Sequence, residues 1–533
     1  MVDGERMIEY LDLDLALKRM RRNVARDAFP NRLDLRLLDR FPEQVKERTS
    51  KLLQDTSLEW ANGAVNFFLE PRGDKLVRPI AYLDVDIRLA YQALVDSIAS
   101  TVELYINSDF NDVIFSHRIR SPNAELMFED PREAHGRFIE RQHEEAHVKN
   151  FTHCVKLDVA NYYERIDQHK LHQLLEKRGV PGVITSTLCG LLRKFSLSEG
   201  RSYGIPQGLW PSDYIGNIYL LHLDEFLRDR GLLALRYVDD YRIFCNSDLE
   251  GRLILKECCG ILSELGLNAQ PSKSGVVEVG SLDPELKPIF QQFITLKKTQ
   301  QKILIRYLDT DYFGDTVVVG EEEELHEEEK EAALSEFDIQ AFEELWTEIV
   351  DQEVARSSIL RFALAGLSRG KSSSAKEYVL SSLRDFPQIV PATVRYLLSL
   401  GYERNTGEKL LSFLESPENI YEWQEMWLLQ YFQDQRASLD GTMKRRLITI
   451  LEDTRKHPLV RQAVAEIIAV HGTANDGAVI RRALQNEANP RVRRALLSGY
   501  CLLPKSERNY AISYLSRTDW ILELVGQLVK SVS

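Results

Sequence analysis

Residues 236–244 read R-Y-V-D-D-Y-R-I-F, two adjacent carboxylates inside a run of Tyr, Val, Ile and Phe. Runs of β-branched and aromatic residues form strands. An ionised carboxylate in a half-buried strand is costly unless it is paired or binds a metal. Asp239 and Asp240, side by side, repel each other. The pattern therefore allows two outcomes. One is a hairpin with an exposed Asp-Asp tip, the other a cation held between this pair and a third carboxylate.

A third carboxylate lies upstream, in F-T-H-C-V-K-L-D-V-A-N-Y-Y-E-R-I-D at residues 151–167. His153-Cys154-Val155-Lys156-Leu157-Asp158-Val159 predicts a second short strand with Asp158 near its end. Neighbouring strands would set Asp158 beside Asp239. Mg²⁺ takes hard oxygen ligands, typically one or two carboxylates plus substrate phosphates. Two such ions can clamp the attacking and leaving oxygens of a phosphoryl transfer. The alternative is that Asp158 caps the helix that follows. Between the two strands lies Tyr203-Gly204-Ile205-Pro206-Gln207-Gly208-Leu209-Trp210-Pro211-Ser212. Pro206 and Gly208 impose an irregular backbone, Gln207 offers a planar amide, and an apolar helical pattern runs over 213–227. A loop opening a helix suits contact with a nucleotide or template strand, and equally an ordinary turn.

In their order, these pieces resemble reverse transcriptases. Asp158 matches the first catalytic aspartate, Ile205-Pro206-Gln207-Gly208 the nucleotide-binding loop, and Tyr237-Val238-Asp239-Asp240 the catalytic hairpin. Arg78-Pro79-Ile80 and Asp86-Ile87-Arg88-Leu89-Ala90-Tyr91-Gln92-Ala93-Leu94 look like the fingers segment of the bacterial enzymes, and Phe115-Ser116-His117-Arg118 like their next motif. Leu267-Asn268-Ala269-Gln270-Pro271-Ser272-Lys273-Ser274 resembles the later palm segment, where a lysine approaches the departing phosphates. The resemblance runs from about residue 20 to about residue 310. It implies an α+β right-hand polymerase fold, with fingers and an antiparallel palm sheet.

Composition fits a globular protein, with 44% apolar and 28% charged residues. The acidic start, Met1-Val2-Asp3-Gly4-Glu5, lacks a signal-peptide pattern, and no apolar run approaches the roughly 20 residues a membrane helix needs. A cytoplasmic protein without membrane partners is expected. The cysteines stand scattered at 154, 189, 245, 258, 259 and 501 with no C-x-x-C pair, which argues against a zinc site or a disulfide framework. The net charge of −13 is uneven. Residues 320–331 hold eight glutamates, whereas Lys18-Arg19-Met20-Arg21-Arg22 and Lys297, Lys298, Lys302 and Arg306 form local basic clusters. Such clusters are either phosphate-binding footprints or solvated helix faces.

Beyond about residue 337 strand signals almost vanish. Pro387, Pro458 and Pro490 each open an amphipathic helix, with 32 residues between the last two and 71 between the first two. The pattern resembles HEAT-like repeats, about 40 residues per helical pair, or else an irregular bundle. The expected division is an N-terminal helical region and fingers at 1–150, palm at 151–280, a thumb-like connector at 281–319, an acidic linker at 320–336 and an α-helical repeat domain at 337–533.

A polymerase core followed by helical repeats looks like the abortive-infection, defence-associated reverse transcriptases of bacteria. The resemblance implies nucleotidyl transfer from dNTPs with two Mg²⁺ ions, Mn²⁺ being a substitute. Asp158, Asp239 and Asp240 are then the catalytic residues, and Asp158, Val159, Asp239 and Asp240 the metal-holding positions. Arg78, Tyr163, Gln207 and Lys273 bind the nucleotide. Tyr163 matches the aromatic gate against a ribose 2′-hydroxyl, although the adjacent Tyr162 leaves the register open by one. Implied partners are dNTPs, a DNA product attached covalently to a tyrosine, a noncoding RNA in some relatives, and further copies of the chain. The alternatives are a retron-like enzyme copying one noncoding RNA, an RNA-directed RNA polymerase sharing the palm, and a catalytically silent helical-repeat scaffold.

Overall fold

The computed structural model describes residues 7–25, 31–72, 76–147, 151–196, 201–282, 339–350, 357–434, 436–515 and 519–531. Nearly all of the thumb-like segment, the acidic run and the basic cluster from Lys297 to Arg306 lie outside the described residues. The chain is mostly helical with small antiparallel sheets. It divides into two compact units, Met1–Asp27 with Pro42–Phe67 and Ile80–Lys297, and Ala28–Phe41 with Phe68–Pro79 and Lys298–Ser533.

The first unit is organised around a four-stranded sheet in the order β4-β5-β3-β6. Its members are β3 (His153–Leu157), β4 (Ala234–Tyr237), β5 (Asp240–Cys245) and β6 (Gly275–Glu278). The central strands pair antiparallel, Val155 opposite Ile243 and Leu157 opposite Tyr241. β4 returns into β5 through the two-residue turn Val238-Asp239, with Tyr237 opposite Asp240. Every residue of β4 and β5 is buried, as expected for strands covered on both faces. Helix Asp248–Glu264 packs on β3, β5 and β6. Ser247 caps it by accepting from Glu250 N at 3.2 Å.

The 25-residue helix Val85–Asp109 is buried on every side from Val85 to Asp96 and on one face beyond. Helices Leu13–Val24, Pro42–Gln54, Gly182–Lys194 and Trp210–Tyr219 all pack against it, so it forms the buried axle of this unit. Strands β1 (Val65–Arg72) and β2 (Leu76–Leu83) pair as a separate two-stranded hairpin.

Helices alternate in the second unit. Ser357–Gly370, Val390–Leu400, Glu422–Leu429, Pro458–His471, Pro490–Ser498 and Trp520–Ser531 each pack on the next of that series. Between them run Lys376–Ser381, Arg404–Leu414 and Gly441–Glu452, which likewise pack in succession. Pro458 and Pro490 stand at helix starts, where the missing N–H is not needed. His457 caps its helix, accepting at Nδ1 from Leu459 N at 3.2 Å.

The second unit gathers segments far apart in sequence. Helix Arg32–Arg40 buries Leu33, Leu37 and Leu38 and packs on Trp520–Ser531. Arg32 Nη1 donates to Gln433 O at 3.1 Å. The apolar stripe of this helix is thus covered by C-terminal helices far away in sequence.

Candidate active site

Asp158 leaves β3 one residue past Leu157, so the register carries it alongside Asp240 and the β4–β5 turn. Its peptide is clasped by the segment after helix Asp248–Glu264. Gln270 N donates to Asp158 O at 2.7 Å, and Asp158 N donates to Ser274 Oγ at 3.1 Å. Lys273 Nζ stands 3.2 Å from Asp158 Oδ2. Val159 is buried and bridges to Ala269.

Asp239 occupies the turn. Burial, and then the charges of Asp158 and Asp240, push its carboxyl up to about 7. Asp240 begins β5 and is ion-paired with Arg242, its i+2 neighbour on the same face of the strand. Burial raises its pKa, against the pull of Arg242. Among the described residues no three His, Cys, Asp or Glu side chains gather as a group able to hold a metal. In place of three convergent carboxylates, the structure has Asp158 with Asp239, and Asp240 engaged by Arg242. The pair still fits a hard divalent cation, because two crowded carboxylates are the oxygen donors such an ion takes. A dication would relieve the repulsion that Asp239 now bears.

The turn is strained. Val238 has φ +56°, a left-handed conformation that costs a β-branched residue roughly 1–3 kcal/mol. Its N–H donates to Ser116 Oγ at 2.6 Å, and its carbonyl accepts from Arg236 Nη1 at 2.9 Å. Arg236 is fully buried. It donates to Asp224 through Nε at 2.9 Å and Nη2 at 2.8 Å, and to Asn217 Oδ1 and O, both at 3.0 Å. Tyr241 Oη donates to Asp224 Oδ1 at 2.9 Å.

The remaining expected residues fall as follows. Tyr162 is buried and donates to Gly216 O, whereas Tyr163 is half-buried with its hydroxyl 3.2 Å from Asp213 Oδ1. The pKa of each tyrosine is raised by burial and also by the charge of Asp239, which puts both rings near the turn. Gln207 O accepts from Ala81 N at 3.0 Å, and its amide reaches Glu164 Oε1 at 3.5 Å. Gly208 has φ +89°, and a Cβ there would stand 2.9 Å from Ile80 Cγ2. Glycine is therefore required on two counts. Arg78 is ion-paired with the buried Glu70 across the β1–β2 hairpin.

The basic run from Lys18 to Arg22, open in the sequence between a phosphate-binding footprint and a solvated helix face, is largely engaged by acids and carbonyls of the chain. Arg19 is buried against Asp96 at 2.8 Å and donates to the carbonyls of Ser121, Pro122 and Ala124. Lys18 and Arg22 both approach Glu125. Sequence reasoning also missed Arg236, Asp224, Asn217 and Asp213. One signal was available: an arginine inside an apolar strand must find an acid, and Asp224 lies among the leucines of the amphipathic helix Leu221–Asp229.

Residues 71–308, rather less than half the chain, match the family model for reverse transcriptase (RNA-dependent DNA polymerase). This stretch is thus similar to the reverse-transcriptase domain. No curated protein matches the chain. Among solved structures, telomerase from Candida albicans in complex with a fragment of telomeric RNA is 12% identical at a TM-score of 0.31, over 72% of this chain and 65% of that one. Apo telomerase from Candida tropicalis is 13% identical at 0.30, over 70% and 73%. The Candida tropicalis enzyme with a telomeric RNA fragment is 10% identical at 0.31, over 72% and 63%. The chain thus spans less than two thirds of two of these telomerase chains, and at such TM-scores the likeness is remote. Among the described residues no helix is long and apolar enough to cross a membrane.

Proposed function

We propose that the chain is a DNA polymerase of reverse-transcriptase type that joins dNTPs to a hydroxyl primer at the Asp158–Asp239 site. The observation that carries this is the facing pair itself: Asp239, half-buried, is kept from easy ionisation by burial and by Asp158. Asp158 and Asp239, with Val159 and Asp240 beside them, would hold two Mg²⁺ ions, for which Mn²⁺ can substitute. Such ions, when bound, supply charge neutralisation at the reacting phosphate and a more acidic attacking hydroxyl.

The chain's own residues do the rest. Lys273, beside Asp158, meets the charge of the departing pyrophosphate. Gln207 lines the nucleotide pocket on a loop that Gly204 and Gly208 shape. Tyr163 excludes a ribose 2′-hydroxyl by the bulk of its ring. Arg78 binds triphosphate oxygens after exchanging Glu70 for phosphate, which suits its planar fork. Primer extension by the purified chain on RNA and DNA templates tests the reading. Activity with dNTPs that disappears in Asp158→Asn supports it, and activity retained in that variant refutes it.

The finer reading is a bacterial abortive-infection type of enzyme acting in antiphage defence. Its C-terminal unit is a HEAT-like repeat module for assembly or recognition, and the chain forms homo-oligomers in the cytoplasm. The alternation of stacked helices, with Pro458 and Pro490 at equivalent helix starts, supports the repeat assignment. DNA synthesis then starts on a tyrosine of the protein. A priming phenol must be accessible, which favours Tyr10, Tyr203, Tyr510 and Tyr514, all exposed, over the buried palm tyrosines. Label from dNTPs that stays with the protein on a denaturing gel after nuclease treatment supports this, and label found only in free DNA refutes it. The retron-like alternative is favoured instead if one noncoding RNA co-purifies with the chain.

A further inference from the structure

The Val238-Asp239 turn is held by two side chains, Arg236 from β4 itself and Ser116 from the segment that runs beside β4. Val238 adopts φ +56°, which its branched side chain disfavours, so the turn would relax unless its peptide groups were fixed. Both are. Ser116 Oγ takes the Val238 N–H at 2.6 Å, and Arg236 Nη1 supplies the donor to the Val238 carbonyl at 2.9 Å. The two holding residues are themselves joined. Phe115 N donates to Arg236 O at 3.0 Å and Arg236 N to Val113 O at 2.7 Å, which lays residues 113–115 along β4 and delivers Ser116 to the turn. The remaining donors of Arg236 are spent on Asp224 and Asn217, so the guanidinium cannot rotate away without unmaking a buried ion pair.

We propose that Ser116 and Arg236 are positioning residues that clamp Val238 in its left-handed conformation and thereby aim the Asp239 carboxylate at Asp158. This rests on the reading of Asp158 and Asp239 as the reaction centre. The clamp itself is a claim about the polypeptide, testable without metal or nucleotide.

The first measurement is hydrogen exchange of the peptide spanning residues 237–241 in metal-free, full-length protein. In Ser116→Ala the Val238 amide loses its acceptor, and its exchange should quicken by about tenfold while peptides from helix Val85–Asp109 are unchanged. The second is dNTP incorporation. Ser116→Ala should lose about 100-fold in kcat, the scale of a misplaced reacting group, with Mg²⁺ half-saturation raised. Adding Val238→Gly to Ser116→Ala should recover at least about tenfold, because glycine takes a positive φ without strain. A merely structural serine would not be rescued in this way. Replacing the ion pair by Arg236→Met with Asp224→Leu keeps the space filled but removes the donor to Val238 O, so this variant should fold and remain impaired. Unchanged exchange at 237–241 in Ser116→Ala overturns the clamp, as does a loss of activity that Val238→Gly fails to relieve. If the wild-type chain incorporates no dNTP, the functional reading falls, and the exchange measurement alone still decides the clamp.

Discussion

Tyr163 and Asp213 are joined by a hydrogen bond, the phenol donating to Oδ1 across 3.2 Å. Tyr162, one residue earlier, turns inward to Gly216 O instead. A Cβ on Gly216 would stand 3.1 Å from Tyr163 Cε1, so the ring lies on a surface that only glycine leaves flat. The pairing separates two tyrosines that the sequence alone could not tell apart.

Tyr163→Ala should therefore relax sugar selection, raising the ratio of rNTP to dNTP use by about 100-fold, the scale at which one missing contact in a pocket discriminates. Tyr163→Phe and Asp213→Ala should each give a smaller rise, because the ring stays but its anchor goes. Tyr162→Ala should instead destabilise the fold by roughly 3–5 kcal/mol, as for other buried aromatics. Steady-state incorporation with each nucleotide, alongside urea melts, separates these outcomes. A sugar effect confined to Tyr162→Ala would reverse the assignment.

His117 predicts a pH dependence of stability. Burial, and then the charge of Arg236, push its pKa down to about 3. Below pH 6.5 the unfolded chain takes up a proton that the folded chain refuses. This contribution is therefore intact above 6.5 and is lost progressively as pH falls toward 3. The slope is about 1.4 kcal/mol per pH unit. His117 has φ +49°, which asparagine tolerates. From pH 6.5 to pH 5, His117→Asn should thus lose about 2 kcal/mol less stability than wild type in urea titrations. Parallel pH profiles would contradict this.

Arg395 is a half-buried charge with no acid paired to it among the described residues. Burial pushes its pKa down to about 10. Among the described residues Nη1 has no hydrogen-bond partner, and the guanidinium sits 5.3 Å from the Trp427 ring centre. On later helices of the same series Arg461 pairs with Glu487, and Arg494 with Asp519 at 2.7 Å. Arg395→Met should raise the midpoint of thermal unfolding by a few degrees, on the order of 1–2 kcal/mol. Calorimetry of the full chain checks it, and a lowered midpoint would show that the charge is compensated.

Helix Arg32–Arg40 should be needed by the C-terminal unit. Leu33, Leu37 and Leu38 are each at most 2% exposed, and burying a leucine is worth roughly 1.5–3 kcal/mol. Arg32 and Arg36 also ease the ionisation of the buried Glu466. A fragment of residues 339–533 should melt below the corresponding transition of the full chain, and a peptide of residues 28–41 should raise its midpoint. A fragment indifferent to the peptide would contradict this.

Much of the site was legible because its chemistry is local. Asp239 and Asp240 sit in a strand-forming run, and Asp158 ends another, so their approach follows from pairing two strands. The Pro-Gln-Gly loop shows its irregularity in its own residues, and the prolines at 458 and 490 mark helix starts. What supports the turn was not legible. Arg236 meets Asp224 and Asn217, and Val238 meets Ser116, only after the chain has folded, and no local pattern encodes the strain at Val238. Lys18 to Arg22 stayed undecided for a related reason: a basic run shows charge but not the acids at 96 and 125 that will neutralise it. Helix Arg32–Arg40 shows an apolar stripe in sequence, but not which distant helices will cover it.

The central claim is that Asp239 is a ligand-bearing carboxylate of a polymerase centre. Its most direct test is Asp239→Asn in the purified full-length chain, followed by dNTP incorporation with Mg²⁺ and by thermal unfolding. The substitution keeps the shape of the turn and removes a charge that Asp158 and Asp240 repel. Incorporation should disappear while the unfolding midpoint stays level or rises. Incorporation at the wild-type rate by the folded variant would contradict it.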